Sequence, residues 1–228
     1  MLGEALLRSQ QADKALKAAE QALVLDGKEA QAHNLKAQAC IDLHLFAQGI
    51  EAARQAIAVE EHFAPAYFSL GELLEATGDL QAADKAFAQA REHDPDIYNE
   101  PPDIDKSALE LLIKELPADL SDKLENYFSD IDFVVMDSAP IAELAAYEPK
   151  LSPSAILRFV GAAREQDAGG DPWLTKPQKV VLYRRNLLRA CVDEDDVAET
   201  LAGVLVDELK AFIAVDEDEI WQDSGGGE

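Results

Sequence analysis

The side chains that most often carry out chemistry in proteins are few in this chain and far apart in sequence. Its two cysteines, Cys40 and Cys191, form no CxxC pair, which argues against a disulfide framework and a thiolate zinc site. A cysteine nucleophile needs a histidine partner, and Cys191 has none in its half of the sequence. All four histidines lie in the first half: His33, His44, His62 and His93. We therefore expect both cysteines to be buried packing residues.

Carboxylates dominate the ionisable residues. The chain has 45 acidic and 20 basic residues among 228, a formal net charge of -25. Such a surface repels phosphate backbones and anionic lipids, so we expect no nucleic acid and no membrane surface as a partner. The acidic run at 193–196 stands at a predicted helix start, where carboxylates cap free amides, and we interpret it as a helix start rather than a cation site. The composition predicts a globular, cytoplasmic protein.

A period of 34 residues organises the chain as far as Pro95. Its clearest copy, 64–97, carries small and aromatic residues at fixed spacing: Tyr67, Leu70, Gly71, Leu74, Gly78, Ala83, Phe87, Ala90 and Pro95. This series resembles the tetratricopeptide repeat (TPR). The resemblance implies an α-solenoid of three helical hairpins, the first truncated at Met1. We predict helices at 1–9, 12–25, 29–43, 46–60, 64–76 and 80–93, with turns at 26–27 and 78–79.

The TPR resemblance also implies a protein-binding groove lined by the first helix of each hairpin. By repeat register, the groove residues are Glu4, Leu7, Asn34, Gln38, Ile41, Phe68, Glu72 and Glu75. We expect an acidic groove with apolar pockets that binds a basic or amphipathic protein segment. The alternative for each residue is an ordinary solvated helix face. The incomplete first repeat leaves two possibilities open: missing upstream repeats, or self-association through an open end.

The second half has a different pattern. A linker over 98–106 contains Pro101-Pro102, an α+β domain is predicted over 107–222, and 223–228 is a glycine-rich tail. We predict helices at 107–115 and 117–127, strands at 133–136, 156–161 and 179–183, a loop at 166–177, and helices at 192–214 and 216–222. The fold class is therefore mostly α, with a small α+β domain after the repeats.

Several strings between 116 and 221 resemble the bacterial zincin-like (minimal zincin) metallopeptidases. They are Leu116-Pro117 at a helix start, Phe133-Val134-Val135 before an acidic residue, and the string from Val181 to Leu187. In that family a strand ending in Leu-Tyr-Arg-Arg precedes a helix with the pattern HExxHxxGxxD. The two histidines and the final acidic residue bind zinc, and the glutamate activates water.

When that pattern is placed on the sequence without gaps, neither zinc-binding histidine is present. The first falls on Asp207 and the second on Ala211, whereas the glutamate is retained as Glu208 and the final acidic position is Glu217. We therefore expect no bound zinc, no cofactor and no catalytic residue at these degenerate positions. Because the family's glycine falls on Ala214, we also expect the helix to run further than in active members of the family.

Three functions remain open. The leading hypothesis is a protein-interaction adaptor or regulator with a catalytically inactive zincin-like domain, a pseudoenzyme rather than an enzyme. The alternative is a diverged metal-dependent peptidase or hydrolase that uses Asp207, Glu208 and Glu217 with a non-zinc cation, since carboxylate-only sites suit calcium or magnesium. The third is a purely structural role, in which the two halves pack together or the chain forms oligomers.

Overall fold

The computed structural model describes residues 11–144, 151–165 and 169–221. In chain order the elements are α1 (Ala12–Leu25), α2 (Ala30–Asp42), α3 (Phe46–Val59), α4 (Ala64–Ala76), α5 (Leu80–His93), α6 (Lys106–Leu120), α7 (Asp122–Phe128), β1 (Asp132–Met136), α8 (Ile141–Leu144), β2 (Leu157–Val160), a 3-10 turn (Pro172–Leu174), β3 (Lys179–Tyr183), α9 (Arg184–Ala190), α10 (Asp196–Ile213) and α11 (Glu217–Trp221). Among these described residues, no helix is long and apolar enough to cross a membrane.

The chain divides into two compact units. Of the described residues, the first unit contains 11–100, 139–144 and 151–154, and the second contains 101–138, 155–165 and 169–221. The short helix α8 thus groups with the repeats, although the residues flanking 139–154 on both sides belong to the second unit.

The first unit is a stack of helical hairpins. Helices α1 to α4 each pack on the next helix along the chain, and α2 also packs on α4. This is the neighbour pattern of a solenoid, in which each hairpin covers the apolar face of the one before it. The five helices begin and end within one residue of their predicted bounds. The predicted helix at 1–9 lies outside the described residues.

Small residues allow these helices to approach closely. A Cβ atom added to Gly71 would lie only 2.6 Å from Phe87 Cε1, and one added to Gly49 would lie 2.6 Å from Leu73 Cδ2. Phe87 is buried and packs with Leu74 and with the alanines of α5. The aromatic ring therefore occupies the space that the missing side chain of Gly71 leaves free.

Two turns of the array repeat one backbone geometry. Gly78 has a φ of +87°, and His44, which lies 34 residues earlier, has a φ of +59°. In both turns the next residue donates its amide to the carbonyl five positions back, at 3.0 Å to Leu74 and 2.8 Å to Cys40. The same chain reversal thus forms with glycine in one copy and histidine in the other.

The second unit is built on a three-stranded sheet in the order β1-β3-β2. Strand β1 pairs in parallel with β3, with Asp132 opposite Lys179, and β2 pairs antiparallel with β3, with Leu157 opposite Leu182. Helix α10 packs on β2 and α6, while α6 packs on β1 and α7. Four of the five residues of β3 are buried, as its continuous apolar run predicts.

The prediction of two helices that meet at Leu116-Pro117 is wrong. Helix α6 continues through Pro117 to Leu120, and α7 begins after Ser121, whose Oγ accepts a 3.3 Å hydrogen bond from the Leu124 amide. A proline inside a helix removes one backbone hydrogen bond. Three buried residues on one side of α6 hold the helix in the core despite that loss: Leu109, Ile113 and Leu116.

The last long helix begins at Asp196 rather than at 192. The residues before it form a turn in which Asp193 Oδ1 accepts hydrogen bonds from the amides of Asp195 (2.9 Å) and Asp196 (3.3 Å). The predicted role of the acidic run at a helix start is therefore confirmed, although the helix starts four residues later than predicted.

We predict that Gly71→Ala destabilises the protein by about 1–3 kcal/mol, because the new methyl group overlaps the Phe87 ring. Urea unfolding followed by circular dichroism measures the change. Gly203→Ala is the matched control, because nothing lies within 4 Å of its added Cβ on α10, and it should stabilise by up to about 1 kcal/mol. Equal effects of the two substitutions would show that close packing at Gly71 is unimportant.

Candidate functional site

Helix α10 carries the zincin-like positions on its solvent side. Asp207, Glu208 and Ala211 are all exposed. The residues on the opposite side are buried: Val197, Leu201, Leu205, Leu209, Phe212 and Ile213. Because a helix repeats every 3.6 residues, burial of this apolar stripe directs the intervening positions outward. The structure thus brings three of the four predicted site positions together on one face. The side chain of the fourth, Glu217, lies outside what the structure describes.

The donors on this face are carboxylates. Lys210 Nζ lies 2.7 Å from Asp207 Oδ1, and the Asp207 side chain is 73% exposed. Burial of part of the Glu208 side chain raises the pKa of its carboxyl, and the neighbouring Asp207 carboxylate raises it further. A catalytic zinc site ordinarily has three protein ligands with histidine nitrogen prominent. One carboxylate that is paired with an ammonium group and one carboxylate with a raised pKa do not fit zinc.

The rest of the described chain does not supply the missing ligands. In residues 11–144, 151–165 and 169–221, no group of three or more His, Cys, Asp or Glu side chains could hold a metal ion. The four histidines belong to the first unit, where the rings of His62 and His93 lie 4.9 Å apart and His33 Nε2 lies 3.1 Å from the Gly27 carbonyl. Neither Cys40 nor Cys191 forms a disulfide bond and both are buried, which confirms their predicted packing role.

The chain reverses at Ala214, where the family's pattern has glycine. Helix α10 ends at Ile213, and Ala214 adopts a left-handed conformation with φ 55° and ψ 54°. The amides of Ala214 and Val215 both bond to the Lys210 carbonyl, which closes the helix end. The helix therefore ends within one residue of its predicted bound at 214, and the sharp turn forms there without a glycine. The left-handed turn forms here although this conformation costs an alanine about 1–2 kcal/mol of free energy.

The predicted groove residues lie on two neighbouring helices of the first unit. Asn34, Gln38 and Ile41 share one face of α2, and Phe68, Glu72 and Glu75 share one face of α4, which packs on α2. Glu4 and Leu7 lie outside the described residues.

Half of these six residues are buried in the structure. Asn34 and Ile41 are each 5% exposed and Glu75 is 6% exposed, and Ile41 packs in a core cluster with Ala37 and Leu73. The accessible part of the face is formed by Gln38, Phe68 and Glu72, which are partly exposed. We call these three residues, together with Glu75, the groove face.

Tyr98 also lies on this face, and it was not predicted from the sequence. Its ring stacks on Phe68 with centroids 4.9 Å apart and planes 28° apart. Tyr98 follows the last repeat in a segment that reads only as a linker, and no sequence signal connects it to Phe68. A cleft of about 410 Å³ in the same unit was also unexpected; it contains none of the groove residues and is lined by Leu23, His33, Lys36, Ala47, Gln48, Glu51, Ala52 and Gln55.

Comparisons with known proteins agree with both resemblances. Residues 64–96 match the family model described as "Tetratricopeptide repeat", and residues 128–226, which include the whole of α10, match the one described as "Zincin-like metallopeptidase". A solved structure titled "Crystal structure of MamA" is similar at 22% identity over 56% of this chain and 71% of that chain, with a TM-score of 0.40. No curated protein matches. The chain thus joins a TPR to a zincin-like domain.

We predict that Ala214→Gly raises the free energy of unfolding by about 1 kcal/mol, because glycine adopts the left-handed conformation without a steric cost. Ala211→Gly is the matched control in the same motif. It lies exposed inside the helix and should lower that free energy by about 1 kcal/mol. Both values come from urea unfolding, and destabilisation by both variants would contradict the left-handed assignment.

Proposed function

We propose that this chain is a protein-interaction adaptor whose zincin-like domain has no peptidase activity. The repeat unit supplies the recognition surface through the groove face on α4 and α2. The zincin-like domain serves as a folded scaffold or regulatory module. The proposed domain bounds are 1–97 for the repeats and 107–222 for the zincin-like domain, and the two buried cysteines, which form no disulfide, suit a reducing cytoplasm.

The observation that carries the proposal is the donor set of α10. Hydrolysis by the zincin mechanism needs a metal that polarises water beside a general base. Glu208 remains at the position of the base and has a raised pKa, but its neighbours are an ion-paired Asp207 and the methyl group of Ala211. The donor set of α10 therefore does not fit the metal that would polarise water beside Glu208.

We predict that the purified protein contains no stoichiometric zinc and that its melting temperature is unchanged by chelator, zinc, calcium or magnesium. A ligand that binds only the folded state raises the melting temperature, so an unchanged value indicates that none of these ions is bound. Elemental analysis and differential scanning fluorimetry provide the two measurements. A rise with calcium or magnesium that Glu208→Gln and Asp207→Asn abolish would favour the alternative hydrolase with a non-zinc cation.

A variant with restored histidines serves as the positive control for this experiment. Asp207→His with Ala211→His places two imidazoles one helical turn apart on the exposed face of α10. Glu199→His with Gly203→His places the same pair at two exposed positions of the same helix. If the turn at Ala214 keeps position 217 within reach of the restored pair, that pair should bind zinc at least about tenfold more tightly than the control pair.

We predict that Phe68→Ala with Glu72→Lys removes binding partners that the wild-type chain retains in an affinity pull-down from native cytoplasm. The substitutions delete an apolar contact and reverse a charge on the groove face. Asp84→Lys on α5 is the control, because it reverses an exposed charge on the second helix of the same hairpin. Mass spectrometry identifies the retained proteins. Recovery of the same set by all three chains would exclude the groove face as the recognition surface.

A further inference from the structure

The most accessible apolar part of the groove face is covered by the chain itself. Phe68 contacts Phe87 edge to face, with ring centroids 5.3 Å apart, and Tyr98 stacks on Phe68. Tyr98 is only partly exposed. An aromatic ring from outside the repeats therefore occupies the position where the side chain of a bound partner would meet Phe68.

The segment that carries Tyr98 is negatively charged, as is the groove face on which it lies. Residues 94–100 contain three carboxylates and no basic residue: Asp94, Asp96 and Glu100. Burial raises the pKa of the Tyr98 hydroxyl, and the carboxylates of Asp94 and Glu72 raise it further, so Tyr98 lies in a negative field. Like charges on the segment and on the face oppose their association.

Two of the contacts that hold the segment lie near the surface. The Tyr98 amide bonds to the Asp94 carbonyl at 3.0 Å, and Arg91 Nε lies 2.7 Å from Glu100 Oε2. The Glu100 side chain is 78% exposed, so this ion pair contributes little in water. Ile97, next to Tyr98, is 68% exposed and adds little buried apolar area. The stack of Tyr98 on Phe68 is an apolar contact that joins the segment to the groove face.

We propose that Tyr98 is an internal, displaceable occupant of the groove face, and that the partner replaces it with an aromatic side chain flanked by lysine or arginine. The partner's ring repeats the stack on Phe68, while its cations meet Glu72 and Asp94, where the internal segment brings only more negative charge. The inference rests on the proposed function, since it concerns the regulation of the same surface. The occupant lowers the apparent affinity of every ligand by the fraction of molecules in which the face is free.

The test uses a fluorescein-labelled peptide that carries the segment's own sequence with its carboxylates replaced, Lys-Pro-Lys-Ile-Tyr-Asn-Lys. Fluorescence anisotropy with the full chain compares wild type, Tyr98→Ala and Tyr98→Phe. An occupant that covers the face in nine of ten molecules implies about a tenfold gain when it is removed, so Tyr98→Ala should bind the peptide at least about tenfold more tightly than wild type. Tyr98→Phe keeps the ring and should bind like wild type.

Two further comparisons identify the site and guard against misfolding. Phe68→Ala added to Tyr98→Ala should abolish the gain, and so should alanine in place of the peptide's tyrosine. Tyr98→Leu keeps an apolar side chain but removes the ring stack on Phe68, so it should give a smaller gain, which supplies the test if Tyr98→Ala does not fold. Equal affinity of wild type and Tyr98→Ala, including no binding by either, overturns the inference. A gain that persists without Phe68 also overturns it.

Failure of this inference is distinguishable from failure of the adaptor role. If the native partners depend on Phe68 and Glu72 in the pull-down but Tyr98→Ala does not change the peptide affinity, the groove face binds partners and Tyr98 is a permanent end cap of the array. If the partners do not depend on the groove face, the proposed recognition surface itself is wrong.

Discussion

Burial of one side of α10 is the constraint on which the second unit depends. Leu201, Leu205 and Leu209 are fully buried and join the core formed with the sheet and α6. Each such side chain contributes roughly 1.5–3 kcal/mol of burial free energy. Asp207, Glu208 and Ala211 are exposed on the other side of the helix. The fold can therefore keep its shape when the residues at those positions change, which is why loss of both imidazoles is compatible with a stable domain.

Ala214 illustrates how packing decides a local conformation. Helix propensity alone favours continuation of α10 through an alanine, because glycine and not alanine is the usual residue in a left-handed helix end. The residues on both sides of the turn are buried, however: Phe212 and Ile213 before it and Ile220 after it. Exposing them would cost more than the roughly 1–2 kcal/mol that alanine loses in this conformation. The left-handed turn therefore forms with alanine at a position where glycine is usual.

The predictions from sequence succeeded where a pattern was periodic. The 34-residue repeat located five helices to within one residue, and the apolar run at 179–183 located the central strand. They failed where a distant contact overrides a local preference, as at Pro117, which a helix anchored by Leu109 and Ile113 tolerates. They also missed Tyr98, because stacking between a linker residue and a helix produces no periodic pattern in the sequence. The resemblance to the zincin-like pattern supplied the positions on α10, and helical spacing then placed Asp207, Glu208 and Ala211 on one face.

Negative charge around the groove face affects which ligands can bind there. The chain's own segment is acidic and lies beside Glu72, so its stacking on Phe68 works against electrostatic repulsion. An acidic or neutral competitor with the same ring has little advantage over it, whereas a cationic competitor gains at Glu72 and Asp94. If a partner displaces Tyr98 as proposed, the acidic internal segment favours cationic aromatic ligands over ligands that offer only an aromatic ring. At high ionic strength this discrimination should fade, since the charges around Tyr98 are partly exposed and salt screens them.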